Sequence, residues 1–159
     1  AGITLALGTD TYPKDMVSEM RYAALASRVA DQKFTSGHPR DVFNAATLGG
    51  AELVGRSDLG RLAKGAKADI VIVGLKNIAL GAVRDPIRTL VESATGRDIH
   101  TVIVDGQVLV RESNYVRTDE AELLEKVQAC ADSVWNAVPS WHWTGRPVDE
   151  LIPPSFRMS

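Results

Sequence analysis

Asp10 is the residue whose type and position best suit chemistry. It stands two positions after Gly2-Ile3-Thr4-Leu5-Ala6-Leu7-Gly8, an apolar run that reads as a short buried strand. A strand followed by a polar loop (Thr9 to Pro13) and then a helix is the βα unit of a parallel α/β architecture, where active sites gather at the C-terminal ends of the strands. A carboxylate at that mouth can ligate a divalent cation, or take a proton from a water whose pKa the cation lowers. An aspartate there can also simply cap its own turn. On spacing alone both readings stand.

The other candidates are weaker. His38, His100 and His142 form no H-x-H or H-E-x-x-H pattern, and an isolated histidine seldom specifies a metal site. His38 precedes Pro39 and suits a helix cap. Gly55 and Gly60 lack the Gly-Lys-Ser/Thr that completes a phosphate loop, and no G-x-S-x-G supports a serine nucleophile. Lys64 and Lys67 read as solvated turn charges. Cys130 lies among apolar neighbours and reads as a small core residue. Trp141 and Trp143 read as anchors that pin an arm.

Several elements must position these groups. Asp15 suits the N-cap of a helix over about 16–30, with Met16, Met20, Ala23, Ala24 and Ser27 on its inner face. Pro39 opens a second helix to about Leu48, interrupted at Gly49-Gly50, with one more turn from Ala51 to Val54 ended by Gly55. Gly60-Arg61-Leu62, Ala68 to Leu75 and His100 to Arg111 read as strands. The last holds Asp105-Gly106 between β-branched runs, a strong hairpin signal. Asp85 to Val91 fits either a short helix or an irregular segment. Thr118 suits the cap of a closing helix with the stripe Leu123, Leu124, Val127, Ala131, Val134, Trp135 and Val138, followed by an extended arm from Pro139.

The chain has 159 residues, 45% hydrophobic and 24% charged, with a net charge of −2 and one cysteine. This is the composition of a globular domain. It argues against a nucleic-acid backbone as partner and excludes an intrachain disulfide. No run is long enough for a membrane span; a cytoplasmic protein is expected. One parallel strand cannot make a sheet, so the first part reads as a piece of a barrel whose remainder lies elsewhere. That the chain opens on an apolar run without Met supports the expectation of a segment from a longer protein. The competing arrangement joins residues 2–8 to the later β module.

Three stretches carry a resemblance to a known family. Gly8-Thr9-Asp10 with Glu19-Met20-Arg21 is similar to the end of an eighth barrel strand and its helix. Ala45-Ala46-Thr47-Leu48-Gly49-Gly50-Ala51, with Asp58 to Val71, resembles the passage from that barrel into a composite β-sandwich. Val102 to Val110 resembles the last hairpin of the sandwich. In this order they resemble the C-terminal part of a metal-dependent hydrolase of the amidohydrolase superfamily, in the branch of cytosine and guanine deaminases and triazine chlorohydrolases.

The resemblance implies an α/β fold: residues 1–55 as the end of a (β/α)8 TIM barrel, 56–115 as a composite β-sandwich segment, and 116–159 as a closing helix and Pro/Trp-rich arm. It implies that Asp10 is a metal ligand and proton shuttle, passing a proton from metal-activated water toward the leaving group. Thr11 and Tyr12 would lie at the mouth and touch substrate. The cofactor would be a divalent metal, zinc or iron, with most ligands outside this chain. The partners would be the N-terminal barrel portion of the same protein and a heterocyclic small-molecule substrate; separately, the Pro- and Trp-rich arm could reach a second copy in a homo-oligomer. The reaction would cleave a C–N or C–Cl bond, and the isolated chain would be inactive. A non-catalytic interaction module, or a cyclic-amide hydrolase of the same superfamily, is the alternative.

Overall fold

Asp15 starts the first helix as its side chain predicts. In the computed structural model, which describes residues 2–10 and 12–156, helix α1 runs Met16–Asp31. Asp15 is extended, and its Oδ1 accepts the N–H groups of Val17 and Ser18 at 3.0 and 3.2 Å. Two donors that a first turn leaves without partners are thereby satisfied. The inner face is set by Val17, Met20 and Ala24, so the stripe lies beside the expected one; Met16, Ala23 and Ser27 are half-buried at its margin.

The second helix does not break at its glycine pair. α2 (Pro39–Asn44) passes through a π-helical turn (Ala45–Gly49) straight into α3 (Gly50–Leu53). Gly49 serves close approach instead: a Cβ there would stand 2.0 Å from the Leu5 carbonyl oxygen. Nearby, the Leu7 N–H donates to the Ala45 carbonyl at 3.2 Å. Residues 2–8 are thus seated on a helix and do not form the expected strand. A strand requires a ladder of partners along its edge, and among the described residues the single sheet does not include this segment. Ile3 and Leu5 point outward, and Leu7 alone reaches the core.

The segment 85–91 resolves as a helix. Asp85 caps α4 (Pro86–Glu92), accepting the Arg88 N–H at 3.1 Å, with Pro86 in the first turn. α4 brings in the fully buried Val91, and Ala94 follows; together with Val17, Met20, Ala24 and Val42 they form the core. Phe43, Ile87, Leu90 and Ile99 close around it.

Strands β1 (Ile70–Val73), β2 (Ile99–Val104), β3 (Gln107–Arg111) and β4 (Asn114–Tyr115) make one antiparallel sheet in that order. The β2–β3 turn has the expected hairpin form, with Asp105 at φ 48° and Gly106 at φ 79°. Both values are positive, as a twist-matched two-residue turn requires. The strand expected at Gly60 to Leu62 is absent. Gly60 is left-handed, and the Lys67 N–H returns to the Asp58 carbonyl at 2.8 Å, so the segment closes on itself as a loop.

The chain divides into two units, Ala1–Val116 and Arg117–Ser159. In the second, α5 (Glu120–Trp141) is capped by Asp119, one position beyond the expected Thr118. Its apolar stripe has helical spacing, but only Val138 is buried; Leu124 and Val127 are 61% and 55% exposed. The four-residue α6 (Val148–Leu151) is too short to cover that stripe. Cys130 is consequently exposed rather than a core residue. Pro139 sits inside the last turns and does not end the helix, because so near the terminus its missing N–H costs a single bond. The expected extended arm therefore begins later and contains α6. Trp141 and Trp143 are 63% and 90% exposed.

Candidate functional site

Asp10 stands between two anchors. Upstream is the Leu7 N–H on Ala45; downstream is the Asp15 cap of α1. Asp10 itself is exposed and left-handed, at φ 51°. That region is costly for most side chains, and aspartate is among the few that visit it. Among the described residues no hydrogen bond or ion pair engages its carboxylate.

Thr11 lies outside the described residues. Tyr12 is 92% exposed. His38 caps α2, its Nδ1 accepting the Arg40 N–H at 3.3 Å. His100 pairs with its neighbour, Nδ1 to Thr101 Oγ1 at 2.9 Å, and His142 likewise with Thr144 Oγ1 at 2.8 Å. None of these contacts joins a histidine to Asp10. Among the described residues no three histidine, cysteine or acidic side chains are grouped to hold a metal ion. Asp10 supplies an oxygen donor of the right kind for a divalent cation, and a catalytic metal needs about three protein ligands. This segment offers one.

The contacts that fix the frame join Asp15, expected as a cap, with residues that the sequence did not single out. The Asp15 carboxylate accepts two more bonds through Oδ2, from Ser18 Oγ at 2.7 Å and from the Gly96 N–H at 3.0 Å. Burial on its own would raise this carboxyl; the hydrogen bonds from Ser18, Gly96 and Val17 outweigh it and hold the pKa below 3.8. Further along α1, Arg21 donates through Nη2 to the Ala94 carbonyl. Its Nε is buried without a partner. Arg28 Nη2 meets Glu92 Oε1 at 2.7 Å. No sequence pattern marks the Gly96, Ala94 and Glu92 partners, because each lies in a distant part of the chain.

Surface pairs stitch the loops. Arg56 clasps Asp58 through two bonds, of 2.7 and 2.8 Å, and holds that carboxyl at about 2. Lys67, read as a solvated charge, instead meets Asp105 at 2.8 Å on the hairpin turn. An open groove runs between residues 2–5 and the second helix, lined by Ile3, Leu5, Asn44, Leu48, Gly49 and Glu52. It touches neither Asp10 nor Tyr12.

The amidohydrolase family model matches residues 1–109. The chain belongs to the amidohydrolase family. It is 37% identical over 134 residues to a 5'-deoxyadenosine deaminase of Methanothermobacter thermautotrophicus, covering 82% of this chain and 31% of that protein. To a 5-methylthioadenosine/S-adenosylhomocysteine deaminase of Pyrococcus abyssi it is 33% identical, over 78% of this chain and 30% of that one. Among solved structures, an adenosine deaminase from Xanthomonas campestris with bound zinc matches at a TM-score of 0.79 and 27% identity, over 83% of this chain and 31% of that one. Atrazine chlorohydrolase from Arthrobacter aurescens complexed with zinc matches at 0.64 and 35%, over 71% and 25%. The chain thus spans about a third of the length of the curated relatives it matches. Within the described residues no helix is long and apolar enough to cross a membrane.

Proposed function

We propose that these residues are the C-terminal part of a hydrolytic deaminase acting on the exocyclic amino group of an adenine nucleoside. The observation that carries the reading is Asp10: an exposed carboxylate, unpartnered among the described residues, in left-handed backbone between the Leu7 and Asp15 anchors. In the reaction, water oxygen bonds to the ring carbon that bears the amino group, the C–N bond breaks, and ammonia leaves. Asp10 accepts a proton from the water and returns one to the departing nitrogen. A divalent metal, zinc as in the solved neighbours, supplies the acidification of that water when bound; Asp10 is one ligand, and the others come from the barrel portion outside this segment. Tyr12 and Thr11, beside it in the chain, would contact substrate.

The domain reading belongs to the same proposal. Residues 1–55 would complete a (β/α)8 barrel, in which residues 2–8 gain the strand partners they lack here. Residues 56–115 would form part of a composite sandwich, and 116–159 the closing helix and arm. The protein would be cytoplasmic and would need its N-terminal portion for activity.

Amine is favoured over chloride as leaving group because curated relatives matched over about four fifths of this chain are named as deaminases of adenine nucleosides. The test is to incubate the full-length protein with 5'-deoxyadenosine, 5-methylthioadenosine and atrazine, following ammonia and chloride. Ammonia from the nucleosides is expected. Chloride from atrazine, with no ammonia from either nucleoside, would overturn the assignment.

A further inference from the structure

The segment that leads into the β-sheet is bonded to Asp15, the cap of the helix that follows the Asp10 loop. At the end of β1, the Gly74 N–H donates to the Asp98 carbonyl at 2.7 Å. The Asp98 carboxylate accepts Asn77 Nδ2 and the Thr95 N–H, each at 2.8 Å. Thr95 and Asp98 bracket a single turn of 3-10 helix, Gly96–Asp98, that leads into β2. The first N–H of that turn, from Gly96, ends on Asp15 Oδ2 at 3.0 Å. A path of hydrogen bonds, joined by the peptide link from Thr95 to Gly96, therefore runs from β1 through Asp98 to Asp15, the cap of the helix that follows the Asp10 loop.

Gly96 is fitted to this contact. A Cβ there would have the three atoms of the Asp15 carboxyl group as its nearest neighbours, at 3.1, 3.1 and 3.2 Å. A cap alone needs none of this, since the Val17 and Ser18 N–H groups are already met by Oδ1. The second oxygen takes Ser18 Oγ at 2.7 Å and also the Gly96 N–H, a partner 81 positions away.

Resting on the reading of Asp10 given above, we propose that Asp15 and Gly96 form a positioning pair that sets the Asp10 carboxylate from the β-sheet. Asp15 touches no reacting atom in this account. It fixes where the Asp10 loop ends, and the sheet fixes Asp15. The sandwich segment then does more than brace a barrel, because a shift in the turn at Gly96 moves the end of the catalytic loop.

The two residues can be perturbed from opposite sides. Asp15→Ser keeps a helix cap but is too short to reach Gly96. Gly96→Ala keeps Asp15 and presses on its carboxyl group. In the full-length protein, each is expected to lower kcat for 5'-deoxyadenosine by about 10- to 100-fold, the size of effect that small misplacements of reacting groups produce, with KM changed less than about twofold. The double variant is expected to be no worse than the poorer single one, because both act on one contact. A purely structural role would lower the melting temperature and leave kcat per folded molecule unchanged. Single variants with kcat within twofold of the parent, or a double variant whose loss is the product of the two, would overturn the proposal. If Asp15→Ser does not fold, Gly96→Ala carries the same test. Asp10→Asn separates the two ideas: if it stays active, the reading of Asp10 itself has failed. If it is inactive while Asp15→Ser and Gly96→Ala keep their kcat, only the positioning pair has failed.

Discussion

The Leu5 carbonyl oxygen occupies the place where a side chain on Gly49 would begin, 2.0 Å from a Cβ built there. The segment that leads to Asp10 is therefore held by main chain lying on main chain. Gly49→Ala is expected to unseat it at a cost of about 1–3 kcal/mol, as forced overpacking does. Gly50→Ala is the control, since its Cβ meets open space within the helix; it is expected to stabilise by about 0.5–1 kcal/mol through helix propensity. Urea denaturation measures both, and a stabilised Gly49→Ala would show that the close approach carries no weight.

Arg28 ties the last turn of α1 to the last turn of α4. It donates to Glu92 at 2.7 Å and to the Ser36 carbonyl at 3.3 Å, and its guanidinium lies 5.3 Å from the centre of the Phe34 ring. The pair is 19% and 28% exposed at the two side chains, between a surface pair and a buried one. Arg28→Lys keeps the charge but loses the planar fork, and a loss of about 1 kcal/mol is expected, above the usual worth of a surface pair. Thermal or urea unfolding at low and high salt checks this: the loss should change little with ionic strength.

The Asp15 carboxylate makes stability depend on pH in a defined direction. Its hydrogen bonds outweigh burial and lower its pKa in the folded state. A lowered carboxylate stabilises fully above its unfolded-state pKa, and that contribution is lost as pH falls through the folded-state value. Asp15→Ala is therefore expected to cost about 1 kcal/mol near neutral pH, the worth of an N-cap. The gap between variant and parent should narrow once the pH drops below about 4. Urea titrations at both pH values give the comparison; a gap that widens in acid would contradict the assigned direction.

The hairpin turn offers a separate check on the sheet. Gly106 is at φ 79°, where alanine pays about 1–2 kcal/mol for the left-handed backbone. Gly106→Ala is expected to destabilise by that amount, while Asp105→Asn keeps a residue that tolerates φ 48° and loses only the Lys67 partner. Equilibrium unfolding of the two variants should rank them in that order.

What could be read beforehand was local. Asp15 as a cap, Pro39 as a helix start and Asp105-Gly106 as a turn are set by neighbours a few positions away, and the structure has all three. The Gly49-Gly50 pair misled because glycine also serves close approach, and the Leu5 main chain that needs it is distant in sequence. The α5 stripe had the spacing of a buried face, yet periodicity states which side is apolar and not whether anything in these residues covers it. Residues 2–8 looked like a strand for the same reason. For the site, the position of Asp10 after an apolar run was legible. The Asp15–Gly96 and Arg28–Glu92 contacts were not, because their partners are 81 and 64 positions apart and carry no shared motif.

The central claim is that Asp10 moves the proton in a hydrolytic deamination. Its most direct test is the turnover of 5'-deoxyadenosine by the full-length Asp10→Asn variant, with its unfolding free energy measured alongside. Because the side chain is exposed and bonded to nothing among the described residues, stability should change by no more than about 0.5 kcal/mol. The account predicts that kcat falls by at least about a hundredfold, the scale of a lost general acid–base group, in a protein as stable as the parent. A variant that retains the parent's kcat would contradict it.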